Sequence, residues 1–226
     1  MPSRSRLAVI PSAESSAALK AKTATACLVA KDAVDNLAEF ISENSRMAYL
    51  AVKECERELD HFEREIDERL PSAITRVGER KARELVACLR FTTDLERIGD
   101  LVWWIAQRWN DRRFDVLETD TKALQEMAAK IVAMLQQVHD GFLSGNVENA
   151  NNIISRDREI DELRRQVFQH HLAAKRSNDN LSSIEILFMT QALERAGDHA
   201  TNLAEELIHL YEGRSVRHLP KKISEM

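Results

Sequence analysis

Two carboxylates stand four residues apart, with an arginine and a glycine between them, in the segment Glu194-Arg195-Ala196-Gly197-Asp198. The segment Glu96-Arg97-Ile98-Gly99-Asp100 shows the same pattern 98 residues earlier. On a helix, residues at i and i+4 lie on one face about 5–6 Å apart, so two acids at this spacing repel each other. A multivalent cation offsets that repulsion, and hard cations prefer oxygen ligands. The pattern therefore indicates a metal site.

The pattern of an acid, an arginine, two further residues and an aspartate occurs four times, twice in each half of the chain. The eight candidate metal ligands are Glu56, Asp60, Glu96, Asp100, Asp157, Asp161, Glu194 and Asp198. A fifth match, Glu63 to Asp67, has no counterpart in the second half, where Arg164 and Phe168 take the corresponding positions. We therefore interpret the fifth match as coincidental.

The elements that carry these acids are predicted to be six long helices, because apolar residues recur at steps of three and four between the few breakers. The predicted helices cover about 12–43, 46–70, 79–110, 120–143, 147–176 and 182–212. No strand pattern occurs, and the sequence holds only six glycines and four prolines. Together with the repeat, this predicts an all-α protein of two tandem antiparallel three-helix bundles. We place a flexible tail at 1–14 and the bundles at 15–113 and 114–226.

Two glycines fall inside predicted helices, where each costs about 1 kcal/mol relative to alanine. Gly99 and Gly197 both lie on the core-facing side beside the acids. A missing side chain there lets a neighbouring helix approach closely and brings its acids within ligand range. Because the acids flank the apolar stripes rather than occupy them, we expect all of them to rim a groove at the bundle surface.

Two alternatives compete with the carboxylate metal site, and a tryptophan cluster is a separate feature. The acids are ordinary surface residues if the arginines inside the motifs neutralise them, which gives a metal-free helical scaffold. Two E-x-x-H spacings, Glu58/His61 and Glu206/His209, are the kind that ferritin-like di-iron enzymes use. A tryptophan cluster, Trp103, Trp104 and Trp109, indicates either packing between the bundles or a partner surface. The fourfold recurrence and the matched glycines favour the metal site.

Composition excludes several classes of function. The net charge of −5 gives no basic face for nucleic acid. The three cysteines are far apart and form no C-x-x-C pair, so we expect buried, reduced thiols. No apolar run approaches the roughly 20 residues that span a bilayer. We therefore expect a cytoplasmic protein that is not itself transmembrane.

Five segments resemble the PhoU family of phosphate-uptake regulators. They are 193–205, 211–218, 94–100, 159–161 and 58–60, and the resemblance extends over nearly the whole chain from about Ser15. It implies two tandem three-helix bundles that bind multinuclear metal clusters through the eight acids named above. Iron is the first expectation for the metal, with Zn, Mn, Mg or Ca as alternatives.

The resemblance also implies a role. Members are non-enzymatic negative regulators, often homodimeric, that bridge a membrane phosphate transporter and a sensor histidine kinase. One departure concerns the metal sites: the second half has His199, Thr201 and Asn202 where the first half has Leu101 and the pair Trp103-Trp104. Because bulky indoles crowd a ligand, we expect Glu194 and Asp198 to form the stronger site.

Overall fold

The computed structural model describes residues 16–113, 115–148, 150–173 and 180–214, and it consists of six α-helices. They are α1 (Ser16–Glu43), α2 (Arg46–Ile74), α3 (Glu79–Asn110), α4 (Glu118–Ser144), α5 (Ala150–Ala173) and α6 (Asn180–Glu212). No strand occurs within the described ranges, and the all-α prediction is confirmed. The predicted tail at 1–14 lies outside these ranges.

The helix ends follow local chemistry, with one exception to the sequence prediction. α2 begins after Ser45, whose hydroxyl accepts a hydrogen bond of 3.2 Å from the Ala48 amide. The predicted end of α2 near residue 70 is wrong, because the helix continues through Pro71 to Ile74. Proline removes one backbone donor, but buried Ala73 belongs to a cluster with Leu85 of α3 that holds the last turn in place.

The six helices form two three-helix units, since α1, α2 and α3 pack on one another, as do α4, α5 and α6. The units meet where α1 packs on α4 and α3 packs on α6, and one hydrophobic core continues through both. In the described residues α2 contacts only α1 and α3, and α5 contacts only α4 and α6. These two acid-bearing helices therefore lie on the outer sides of the molecule.

Polar contacts join α3 and α6 along the seam between the units. Arg90 of α3 donates two hydrogen bonds to the buried carboxylate of Glu206, at 2.9 and 3.1 Å. The Oδ1 atom of Asp94 lies 2.8 Å from the Nδ1 atom of His199. Asp94 follows Arg90 in α3, whereas its partner His199 precedes Glu206 in α6. The two helices therefore run antiparallel. The seam is thus a fixed interface with charged groups at defined positions.

The remaining expectations about the scaffold concern thiols and membranes. Cys27, Cys55 and Cys88 are all free, and the first and last of them are buried. Burial raises the pKa of the Cys27 and Cys88 thiols, which keeps them protonated and unreactive. Over the described ranges, none of the helices has the length and apolar character needed to cross a bilayer.

Candidate metal centres

The two mid-helix glycines are the points at which acid-bearing helices touch. A Cβ added to Gly99 of α3 would lie 2.6 Å from Leu59 Cδ1 of α2, and one added to Gly197 of α6 would lie 2.9 Å from Ile160 Cδ1 of α5. Both distances are shorter than the separation of about 3.5–4.0 Å between two carbon atoms in van der Waals contact. Leu59 and Ile160 directly precede Asp60 and Asp161. The predicted close approach at the glycines is therefore confirmed in both halves.

The first acid cluster lies between α2 and α3. Its members are Glu56, Asp60, Glu63, Glu96 and Asp100. Burial, and then the charges of Asp60 and Asp100, raise the pKa of Glu56. Burial also raises the pKa of Glu96 to about 7, with further contributions from Asp100 and Glu63, while Arg97 opposes the shift. The carboxylates of the two helices therefore repel one another across the interhelical space.

Glu96 is the most constrained acid of this cluster. It is 9% exposed, and its buried Oε2 has no hydrogen-bond partner. Arg97 lies near, with Nε 3.5 Å from that oxygen, but it also donates from Nη1 to Asp100 Oδ2 at 3.2 Å. The Arg97 side chain is half-exposed and is shared between two acids. A buried carboxylate oxygen that lacks a donor is costly, and a cation beside it would remove that penalty.

The second acid cluster lies between α5 and α6. Its members are Asp157, Asp161, Glu194 and Asp198, with Arg164 beside them. Burial raises the pKa of Glu194, and the charges of Asp198, Asp161 and Asp157 add to the shift, whereas Arg164 lowers it. Gln191 donates a hydrogen bond to Glu194 Oε2, and Arg164 Nε lies 3.5 Å from Glu194 Oε1. Each glutamate thus has an arginine Nε at 3.5 Å, but Glu194 Oε2 also accepts a hydrogen bond from Gln191, whereas Glu96 Oε2 accepts none.

The predicted pairing of motifs is observed, but two details of the prediction are wrong. α2 and α3 bring the first four predicted ligands together, and α5 and α6 bring the other four. Asp60, Asp100 and Asp198 face the surface as expected, whereas Glu96 and Asp157 are buried. The close helix contact at the glycines carries these two acids into the interhelical space. Each groove therefore has exposed acids at its edge and a buried acid, Glu96 or Asp157, beneath them.

Glu63 is the residue that sequence reasoning missed. We interpreted its motif as coincidental, yet its charge contributes to the raised pKa of Glu96. The available indication was its spacing: Glu63 comes seven residues, or two helical turns, after Glu56 and so lies on the same face of α2. Glu63 has no duplicate, because its counterpart in the second half is Arg164.

The donors suit a hard cation, although they are not gathered around one point. Carboxylate oxygens dominate both clusters, and Glu96 contributes a buried oxygen without a donor. Over the described part of the chain, no group of three or more His, Cys, Asp or Glu side chains is arranged so that it could hold a metal ion. Coordination would therefore require the half-exposed Asp60 and Asp100 side chains to rotate toward Glu96.

The ferritin-like alternative requires Glu58/His61 and Glu206/His209 to converge. They lie on α2 and α6, which do not contact each other within the described residues. The His61 side chain is 69% exposed, and Arg90 already binds the Glu206 carboxylate. The two E-x-x-H spacings therefore do not form one centre.

Comparison with known proteins agrees with this architecture. The family model described as the PhoU domain matches the chain twice, at residues 24–109 and 124–207, once in each three-helix unit. The chain therefore belongs to the PhoU family.

Curated relatives carry the same family name. The phosphate-specific transport system accessory protein PhoU homolog 1 of Thermotoga maritima is 26% identical over 210 residues, which cover 88% of each chain. The corresponding homolog of Rhizobium meliloti is 31% identical over 169 residues, covering 69% of this chain and 68% of the relative.

Solved structures share the fold. The crystal structure of PhoU from Pseudomonas aeruginosa superimposes with a TM-score of 0.78 at 19% identity, covering 88% of this chain and 97% of that one. The phosphate transport system regulatory protein PhoU of Streptococcus pneumoniae gives a TM-score of 0.80 at 16% identity, with coverage of 89% and 97%. At these identities the likeness establishes the fold.

Proposed function

We propose that this protein is a non-enzymatic accessory protein of phosphate transport that represses phosphate uptake and phosphate-starvation signalling when phosphate is plentiful. The observation that carries the proposal is the pair of PhoU-domain matches, one on each three-helix unit. Relatives that match across most of the chain are named as phosphate-specific transport system accessory proteins. Regulation of the same transport system is the function that this evidence supports best.

We further propose that the protein works in the cytoplasm, as a homodimer, by binding a membrane phosphate transporter and a sensor histidine kinase. Exposed apolar side chains support a role in protein binding, because isolated soluble surfaces seldom place several together. Phe188 is 53% exposed and Ile184 is 47% exposed, and the two lie one turn apart on α6.

We propose that both acid clusters bind metal, with iron as the first expectation and Zn, Mn, Mg or Ca as alternatives. The donor-free oxygen of Glu96 and the raised pKa of both Glu56 and Glu96 support a cation in the first cluster. In the second cluster Arg164, which lowers the pKa of Glu194, takes the position that Glu63, which raises the pKa of Glu96, holds in the first. These electrostatics favour the first cluster as the stronger site, which is the reverse of the order expected from sequence.

The regulatory proposal is tested by deleting the protein from its host. Phosphate-starvation genes should then be expressed in phosphate-replete cells, and reintroduction of the wild-type protein should restore repression. Pull-down from membranes at high and low phosphate should recover a phosphate transporter and a histidine kinase. Normal repression in the deletion strain would contradict the proposal.

The metal proposal is tested by elemental analysis of protein purified without chelator. The wild-type protein should carry one of these metals, with iron expected first, and a variant with Asp60, Asp100, Asp161 and Asp198 all replaced by asparagine should carry almost none. A matched control replaces four exposed acids outside the clusters: Asp32, Asp35, Glu39 and Glu43. Equal metal content in wild type and cluster variant would leave the metal-free scaffold as the better account.

A further inference from the structure

A pocket of about 570 Å³ lies on the seam between the two three-helix units. We call it the seam pocket; its lining includes Arg97, Trp103 and Trp104 from α3 and Phe188, Arg195 and His199 from α6. Its volume falls within the roughly 300–1,000 Å³ typical of small-molecule sites. The pocket shares Asp100 and its ion-pair partner Arg97 with the first acid cluster, whereas its aromatic residues and Arg195 lie outside that cluster.

Two aromatic rings of the seam pocket are packed against other side chains. The Arg108 guanidinium lies 4.2 Å from the Trp104 ring centroid, and Glu185 fixes that arginine through a hydrogen bond of 2.5 Å. Trp103 packs against Tyr49, with 5.2 Å between ring centroids. Rings that are already positioned lose little conformational entropy when a planar ligand binds, so the pocket is preorganised for stacking.

The cationic part of the pocket contains one arginine that is available to a ligand. Arg97 is paired with Asp100, and His199 is paired with Asp94. Arg195 is exposed, and among the described residues it forms no ion pair or hydrogen bond. Arginine binds phosphate groups through two parallel hydrogen bonds, which makes it the preferred side chain for phosphate recognition.

We propose that the seam pocket binds a nucleotide, with the base against Trp103, Trp104 and Phe188 and the phosphate on Arg195. Inorganic phosphate alone is far too small for this volume and makes no use of the aromatic residues. A wholly apolar ligand would bury Arg195 without a partner, which is unfavourable. A nucleotide combines a planar heterocycle with an anionic group and satisfies both parts of the pocket. Stacking on aromatic side chains stabilises a bound base whatever its identity.

Calorimetric titration of the full-length protein with each of the four ribonucleoside diphosphates tests the proposal. EDTA is present throughout, so that metal in the acid clusters cannot hold the phosphate. At least one nucleotide should bind with one-to-one stoichiometry and about tenfold or more tightly than inorganic phosphate or its own nucleoside. This outcome does not depend on the regulatory or metal proposals.

Two variants and one control locate the site. Arg195→Gln should weaken nucleotide binding about tenfold or more, because it removes the phosphate partner. Phe188→Ala, at a half-exposed position that the fold does not need, should weaken binding severalfold. The control is Arg165→Gln: Arg165 also lies on an exposed helix face and pairs with Glu162 at 2.7 Å, outside the pocket. It should bind nucleotide like the wild type.

Three results would overturn the proposal. The first is the absence of binding by any of the four nucleotides up to about 10 mM, where a specific site would be measurable. The second is equal binding by Arg195→Gln and Arg165→Gln, which would place the nucleotide elsewhere. The third is binding of inorganic phosphate as tightly as nucleotide, which would leave the aromatic residues without a role.

Discussion

The two acid clusters are built on one plan and differ in one charge. Each joins an aliphatic residue of an outer helix to a glycine of the next helix, Leu59 to Gly99 and Ile160 to Gly197. Glu63 of the first cluster corresponds to Arg164 of the second. A residue outside the repeated motifs therefore sets the charge of each cluster. Duplication preserved the helix contact, whereas the exchange of Glu63 for Arg164 and the hydrogen bond from Gln191 make the two sites unequal.

Glu96 and Glu194, the central glutamates of the two clusters, have different surroundings. Glu96 has a buried oxygen without a hydrogen bond and a pKa raised to about 7. Glu194 occupies the equivalent place, but Gln191 and Arg164 contact its two oxygens. Both glutamates have one arginine at 3.5 Å, Arg97 or Arg164, but the first cluster also contains the charge of Glu63 and shares its arginine with Asp100. An added cation therefore gains more in the first cluster than in the second.

The largest expected effect comes from exchanging that one charge. Glu63→Arg places a positive charge in the first cluster and should weaken Mn²⁺ binding there on the order of 100-fold, from about 3 kcal/mol of altered Coulomb energy. Arg164→Glu should strengthen binding in the second cluster by a similar factor. Isothermal titration with Mn²⁺ measures both changes.

The control for this exchange is Glu68→Arg, an exposed position on the same helix. It changes the net charge equally and should leave both sites nearly unchanged. If Glu63→Arg and Glu68→Arg behaved alike, only net charge would matter, and the assignment of Glu63 to the cluster would be wrong.

A smaller effect is expected on the pH dependence of stability without metal. The Glu96 pKa rises from 4.5 to about 7 on folding, so between these values the folded protein keeps a proton that the unfolded chain releases. The free energy of unfolding should therefore fall as pH rises through this window. Glu96→Gln mimics the protonated form, and at pH 8 it should be more stable than wild type on the order of 2 kcal/mol.

Urea denaturation in EDTA at pH 5 and pH 8 measures this difference. Glu194→Gln is the matched variant, and its benefit at pH 8 should be smaller, because Arg164 and Gln191 already stabilise the ionised form. If the stability of the Glu96→Gln protein fell with pH as steeply as that of wild type, ionisation of Glu96 would not be the cause of the destabilisation, and the prediction would be wrong.

The smallest effect concerns the glycine contacts. Alanine is favoured over glycine in a helix by about 1 kcal/mol, whereas overpacking costs about 1–3 kcal/mol. The shorter distance at Gly99 predicts that Gly99→Ala lowers the free energy of unfolding by about 1 kcal/mol, while Gly197→Ala is nearer to neutral.

A double-mutant cycle isolates this contact. Combining Gly99→Ala with Leu59→Ala provides room for the added methyl group, so the glycine substitution should then be neutral or stabilising. Thermal unfolding of the four proteins in the cycle is sufficient. A penalty for Gly99→Ala that persists beside Leu59→Ala would show that the methyl group clashes with something other than Leu59.

Periodicity and duplication were enough to predict the six helices, the glycine contacts and the pairing of acid motifs. These features repeat, and repetition is readable in a single sequence. The burial of Glu96 and Asp157 depends on how closely two helices approach, which spacing alone does not determine. The continuation of α2 through Pro71 depends on the tertiary contact of Ala73 with Leu85. Local rules therefore failed where packing between helices decided the outcome.

The seam pocket and the role of Glu63 were also not predicted from sequence. The pocket exists only because α3 packs on α6 of the other unit, which the bundle pattern does not specify. Glu63 was set aside because it has no duplicate, although the missing duplicate is what distinguishes the clusters. The expected preference for Glu194 and Asp198 relied on the indoles near the first motif. Those indoles line the seam pocket together with Asp100.

The most direct test of this account is Mn²⁺ titration of two single-cluster variants, followed by electron paramagnetic resonance of free Mn²⁺. Asp161→Asn with Asp198→Asn leaves the first cluster intact, and Asp60→Asn with Asp100→Asn leaves the second intact. The account predicts that the variant with the intact first cluster keeps the tighter Mn²⁺ site. Tighter binding by the variant with the intact second cluster would contradict it.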